Sequence, residues 1–218
     1  MKVWSGSGEE FVNAEEGKGR RGKVSYYGIE TYSNRIVYVL DVSGSMASAH
    51  AAPGRAVQGN EVAKVDAAKR ELIRSLKSIP AKGFFTIIVY NDLIKVWQPK
   101  LVKATPANKT KAEEFVGGLT AAQSTNIYGA LEACFKLAGM GASDKRYDLG
   151  ADTIFLLSDG SPTKSDGTLD STEKILVACR EWNRLKRVTI HCIGIGKAHN
   201  GAFLGALAAE NGGQYVAR

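Results

Sequence analysis

The sequence predicts an α/β protein: a doubly wound, mostly parallel central sheet with one short antiparallel edge strand and helices on both faces, a Rossmann-like architecture. Three observations carry this expectation. Short apolar runs, IVYVL, FFTIIVY, TIFLL and VTIHCIGI, recur along the chain, as in strands buried on both faces. Between them lie longer segments whose apolar residues return at helical spacing. One tight turn, Asn91-Asp92, joins the second run to a short return segment instead of a helix.

Taken in order, residues 1–32 mix Gly, Glu, Lys and Arg without a period and are expected to form a linker or partly ordered tail. The domain then occupies 33–218. Its first strand is 36–40. Residues 61–79 set Val62, Val65, Leu72, Ile73, Leu76 and Ile79 at helical spacing against Lys and Arg, and Pro80 ends that helix. The second strand is 84–90, and its return strand over 93–97 is antiparallel and at an edge. A helix over 126–137 and a buried strand over 153–157 follow. Asp170 with Glu173 three residues on has the spacing of a capping box, and Ile175, Cys179, Trp182 and Leu185 make the apolar face of the helix it opens. A strand over 188–195, a helix over 202–210 and a strand over 214–217 complete the domain. The one irregular insertion, 47–59, separates the first strand from its helix.

At 218 residues and 44% hydrophobic content the chain can bury one good core, so one domain with a tail is the simplest organisation. The net charge of +7 favours anionic over basic partners, but basic residues spread over solvated helix faces are the stronger account of it. Three cysteines, Cys134, Cys179 and Cys192, are odd in number and far apart, unlike a disulfide framework or a zinc site. Buried thiols and the lack of a signal-like apolar leader point to a cytoplasmic setting, and nowhere do 18 apolar residues occur together.

Ligands of open α/β sheets bind outside the carboxyl ends of the strands. Those positions here carry oxygen: Asp41, Ser43 and Ser45 after the first strand, Ser124 and Thr125 before the third helix, and Ser158, Asp159 and Thr163 after TIFLL. Two carboxylates and several hydroxyls converging on one cleft suit a hard divalent cation, Mg²⁺ first, with Mn²⁺ and Ca²⁺ as alternatives. Without a cation the two carboxylates would repel each other. The plainer account of each segment alone is a helix cap or a turn, with Thr125 as an N-cap and Ser-Asp-Gly as a turn.

DVSGSM at 41–46, Thr125 opening a helix, and LSDG at 157–160 together resemble the metal-ion-dependent adhesion site of von Willebrand factor type A domains. The element order of roughly residues 33–217 is similar as well. The resemblance implies that Ser43 and Ser45 bind the metal directly, that Thr125 binds directly or through water depending on conformational state, and that Asp41 and Asp159 act largely through water. It implies a site for adhesion and complex assembly, not turnover: an Asp or Glu of a protein partner completes the metal's coordination. The loop 47–59 departs from the family in being long, and its His50 reads as an ordinary loop residue. The lead-in YYGIETYSNR resembles that of bacterial proteins carrying such a domain after other modules, so the chain reads either as an excised, monomeric module of a larger protein or as complete.

Competing signals are weaker. Gly194, Gly196 and Gly201 lack the spacing of a dinucleotide or P-loop fingerprint. His191 and His199 have no recognisable Ser or Cys nucleophile, which disfavours a hydrolase, so no catalytic residue is assigned. The basic clusters lack interleaved aromatics, which disfavours a nucleic-acid-binding role beside the reading above. The expected function is a metal-dependent protein-interaction module; the alternatives are a basic nucleic-acid binder and a metal-dependent hydrolase.

Overall fold

The computed structural model describes residues 22–50, 62–122, 124–138, 150–164, 168–185 and 187–218. The chain opens with a hairpin, β1 (Val24–Tyr26) and β2 (Ile29–Thr31), then enters β3 (Arg35–Asp41) and a 3-10 helix (Gly44–Ala47). A two-residue ribbon, β4 (Ala49–His50) with β5 (Val62–Ala63), leads into α1 (Lys64–Ser78). Next come β6 (Phe84–Tyr90), β7 (Ile94–Val96), β8 (Val102–Lys103), α2 (Pro106–Gly117) and α3 (Ile127–Ala138). The chain ends with β9 (Thr153–Ser158), α4 (Thr172–Trp182), β10 (Thr189–Gly194), α5 (Gly201–Glu210) and β11 (Tyr215–Ala217).

The main sheet runs β11-β10-β9-β3-β6-β7, with β8 also paired to β6. Pairings among β11, β10, β9, β3 and β6 are parallel, and only β7 and β8 run antiparallel. From β3 the chain builds outward to β6 and β7, then returns to the other side of β3 for β9, β10 and β11. The strand order therefore reverses between β3 and β9, which makes the crevice at their carboxyl ends the topological switch point.

Side-chain alternation along β3 explains why its sequence is apolar throughout. Ile36, Tyr38 and Leu40 join a core with Val65, Leu72 and Leu76 of α1 and Ala112 and Val116 of α2. Val37 and Val39 join the opposite core with Leu131 and Phe135 of α3, Ile175 of α4 and Leu204 of α5. Both faces of the strand are covered, so neither register position is free to be polar.

Three features differ from the sequence expectation. Residues 24–31, inside the expected tail, form the hairpin β1–β2, whose turn residues Tyr27 and Gly28 both have positive φ (50° and 83°), as a two-residue hairpin turn requires. Its Val24, Tyr26 and Ile29 are buried, and Tyr26 meets Tyr38 and Phe155 edge to face. Helix α2 had no strong signal because it buries only Ala112 and Val116; Thr105 caps it through the Asn108 amide. Helix α4 is capped by Ser171 through the Lys174 amide, one residue after the expected Asp170, and ends at Trp182, leaving Leu185 beyond it and exposed. Most of the insertion 47–59 lies outside the described residues.

If the hairpin belongs to the domain's core, Tyr26→Ala should lower unfolding stability by about 3 kcal/mol, the scale for deleting a buried aromatic, in a urea titration followed by far-UV circular dichroism.

Candidate metal site

The site grows out of the end of β3. Val42 donates its amide to Tyr90 O at 2.8 Å, continuing the pairing with β6, and the chain then turns sharply. Asp41 Oδ1 accepts the Ser43 amide at 2.8 Å, a carboxylate holding the backbone two residues on. Ser43 stands at the head of the 3-10 helix, whose Met46 is fully buried and pins the turn to the core. Small residues on either side of Gly44 let the two serine hydroxyls approach to 3.1 Å.

From there an unbroken line of polar contacts crosses to β9. Ser45 donates its hydroxyl to Asp159 Oδ1 at 2.7 Å. Ser158, the last residue of β9, donates to Asp41 Oδ2 at 2.9 Å, and Tyr90 donates to Asp41 Oδ2 at 3.4 Å and to Leu157 O at 3.1 Å. Asp159 Oδ2 receives the ammonium of Lys64, the first residue of α1, at 2.8 Å. Asp41, Ser43, Ser45 and Asp159, expected from sequence to converge, are thus joined by hydrogen bonds at the switch point.

Thr125 is buried nearby and linked to the same crossing by its backbone. Its amide donates to Thr163 Oγ1 at 2.7 Å, its carbonyl accepts the Thr163 amide at 2.9 Å, and Ala122 donates to Val42 O at 2.8 Å. The cap of α3 is Asn126, whose Oδ1 accepts the Gly129 amide at 2.9 Å, so capping does not explain Thr125.

Sequence reasoning missed Lys64 and Tyr90. Tyr90 ends an apolar strand and looks like core. Lys64 is a lysine at the start of a helix, and nothing local distinguishes it from the solvated lysines of the other helix faces.

The electrostatics are those of buried anions. Asp41 and Asp159 are both fully buried. Burial pushes the Asp41 carboxyl up to about 6; hydrogen bonds from Ser43 oppose the shift and the charge of Asp159 adds to it. Burial also drives the Tyr90 phenol well above its ordinary value, so it stays a donor. The donors are carboxylate and hydroxyl oxygens, the set a hard cation prefers. Among the described residues no group of three or more His, Cys, Asp or Glu side chains is arranged to hold a metal. A cavity of about 360 Å³ lies at the opposite end of the sheet, beside Arg35 and Phe84 at the amino ends of β3 and β6, and shares no residue with the cluster.

The von Willebrand factor type A domain model matches residues 34–217. Human inter-alpha-trypsin inhibitor heavy chain H4 is 30% identical over 187 residues, covering 85% of this chain and 18% of that protein. Heavy chain H1 of Mesocricetus auratus is 26% identical over 183 residues, 83% of this chain and again 18% of that protein. The chain therefore spans less than a fifth of the length of these curated relatives. Among solved structures, a von Willebrand factor type A protein from Catenulispora acidiphila superposes with a TM-score of 0.64 at 22% identity, over 87% of this chain and 40% of that one. Manganese-loaded Plasmodium vivax TRAP protein gives 0.55 at 15% identity, over 81% and 63%. Mussel byssus proximal thread matrix protein 1, solved with zinc in its MIDAS motif, gives 0.57 at 18%, over 84% and 40%. These likenesses establish the fold.

The raised Asp41 value has a definite sign. The folded state binds this proton more tightly than the unfolded state, so its charge penalty is absent below about pH 4 and complete above about pH 6. In metal-free protein, stability relative to Asp41→Asn should shift in favour of wild type by about 2 kcal/mol as pH falls from about 7 to about 4, read from urea midpoints. A constant difference across that range would contradict the assignment.

Proposed function

The chain belongs to the von Willebrand factor type A family, and on that premise we propose that it is a divalent-metal-dependent protein-interaction module whose partner presents an Asp or Glu side chain. The observation that carries this reading is the hydrogen-bonded line Asp41–Ser43–Ser45–Asp159 at the switch point, with both carboxylates fully buried. Buried like charges side by side are unfavourable unless a cation compensates them.

In this reading Ser43 and Ser45 present their hydroxyls directly to the ion, Thr125 presents its hydroxyl directly or through water, and Asp41 and Asp159 orient the hydroxyls and coordinated water. The hydrogen bond from Ser45 to Asp159 fits that division, because a hydroxyl that donates to a carboxylate leaves its lone pairs for a cation. A bound Mg²⁺, or Mn²⁺ or Ca²⁺ in its place, supplies an incompletely quenched positive field that attracts a partner's carboxylate. Ser45 is exposed while Ser43, Asp41 and Asp159 are buried, so approach is from the Ser45 side. The net charge of +7 assists encounter with an acidic partner.

The reading assigns no catalytic residue. We place the chain as one module of a longer polypeptide, in keeping with its share of the curated relatives, and as a monomer by itself. Cys134, Cys179 and Cys192 are free and buried, which fits a reducing, cytoplasmic setting. No helix among the described residues is long and apolar enough to cross a membrane.

Calorimetric titration of Mg²⁺, Mn²⁺ and Ca²⁺ into metal-stripped protein should show one saturable site, lost in Ser43→Ala/Ser45→Ala with the fold retained. Thr125→Ala should bind metal at least about tenfold more weakly, the lower end of the cost of losing even a group that only orients a metal's ligands. Saturable binding that survives the double serine substitution would place the ion elsewhere. Millimolar acetate, standing in for the partner's carboxylate, should tighten Mg²⁺ binding, and equal affinity with and without it would contradict the acidic-partner reading.

A further inference from the structure

We propose that the Lys64 ammonium is the resident cation of this cleft: it neutralises Asp159 before a divalent ion arrives and has to surrender that carboxylate when one binds. The inference rests on the metal-site reading above and concerns the regulation of that site.

Lys64 Nζ lies 2.8 Å from Asp159 Oδ2, with the two side chains only 10% and 0% exposed. An ion pair withdrawn from water to this degree is part of the site's architecture, unlike the solvated pairs of the helix surfaces, such as Lys136–Glu132 at 59% and 40%. The other oxygen of the same carboxylate takes the Ser45 hydroxyl, so Asp159 is shared between an ammonium and one of the hydroxyls that present themselves to the ion.

Two independent features hold the lysine there. Its backbone amide donates to Ser48 O at 3.0 Å, tying the start of α1 to the turn that carries Ser43 and Ser45. Its stem runs past Gly196 in the loop after β10. Gly196 has φ +75°, and a Cβ at that position would come within 2.8 Å of Lys64 Cε. The chain thus leaves room at residue 196 for the stem of residue 64.

An ammonium and the water carried by a hard divalent cation compete for the same carboxylate, and two cations held in one partly desolvated cleft repel strongly. Lys64 therefore stabilises the metal-free protein and weakens its metal affinity relative to what the oxygen donors alone provide. Metal uptake is an exchange of one cation for another at Asp159, and Lys64 becomes accessible as the ion settles.

Two readouts on the full chain test this. Calorimetry with Mg²⁺ should give an affinity at least about tenfold higher for Lys64→Met than for wild type, while Lys64→Arg, which keeps the charge, should stay within about threefold of wild type. The urea midpoint of metal-free Lys64→Met should fall, and saturating Mg²⁺ should recover it. In wild type, acetylation of Lys64 by a lysine-reactive ester, followed by mass spectrometry, should rise several-fold when the metal site is saturated. Equal or weaker Mg²⁺ binding by Lys64→Met, equal tightening by Lys64→Arg, or unchanged Lys64 labelling at saturating Mg²⁺ would each overturn the exchange and leave the metal site standing. Absence of saturable Mg²⁺ binding in wild type and Lys64→Met alike would instead remove the metal site, and the exchange with it.

Discussion

Two carboxylates, Asp41 and Asp159, stand fully buried at the ends of adjacent parallel strands, and much of the surrounding structure compensates their charge. Isolated buried carboxylates are strongly disfavoured, so each oxygen must find a donor. Asp41 is served by the Ser43 amide, the Ser158 hydroxyl and the Tyr90 phenol; Asp159 by the Ser45 hydroxyl and the Lys64 ammonium. These donors come from four separate segments: the turn after β3, the end of β6, the end of β9 and the first residue of α1. The cluster is therefore also a tie that fixes the turn after β3 against its neighbours, and the sheet supplies the rigid ends on which it is mounted.

The charges around the cleft also bear on what it can receive. Two carboxylates and one ammonium sum to a single negative charge when all are ionised. A divalent ion added to that set leaves one positive charge in excess, the complement of one incoming carboxylate. Lys64 therefore has two linked consequences in this account: it opposes the ion, and once the ion is held it adds to the field that an acidic side chain meets. A cleft without the lysine would bind the ion more strongly and attract the partner less.

The parts of this architecture that sequence made legible share a physical trait. Strands β3, β6, β9 and β10 are covered on both faces, so their apolar runs are unbroken and easy to recognise. The oxygens of the cleft were legible for a related reason: polar residues immediately after a buried strand must be at its carboxyl end, where ligands of such sheets bind. Helix α2 was obscure because its buried face consists of two small positions on a polar sequence, and the β1–β2 hairpin because its three-residue strands carry their signal mainly in Tyr26, Ile29 and a Tyr-Gly turn. Lys64 was illegible for a deeper reason. A lysine is ordinarily solvated, and its burial follows from a partner 95 residues away in sequence. Local pattern cannot encode such a pairing; only the three-dimensional crossing of α1 and β9 brings it about.

The central claim is that the oxygens at the β3–β9 switch point hold a divalent ion. Anomalous diffraction from crystals of the protein equilibrated with Mn²⁺ addresses it most directly, because the signal locates the metal without reference to any protein function. The account predicts one dominant peak at bonding distance from the hydroxyls of Ser43 and Ser45, with the Lys64 ammonium withdrawn from Asp159. A well-ordered cleft without such a peak at saturating Mn²⁺, or with Lys64 still on Asp159 and the metal bound elsewhere, would contradict it.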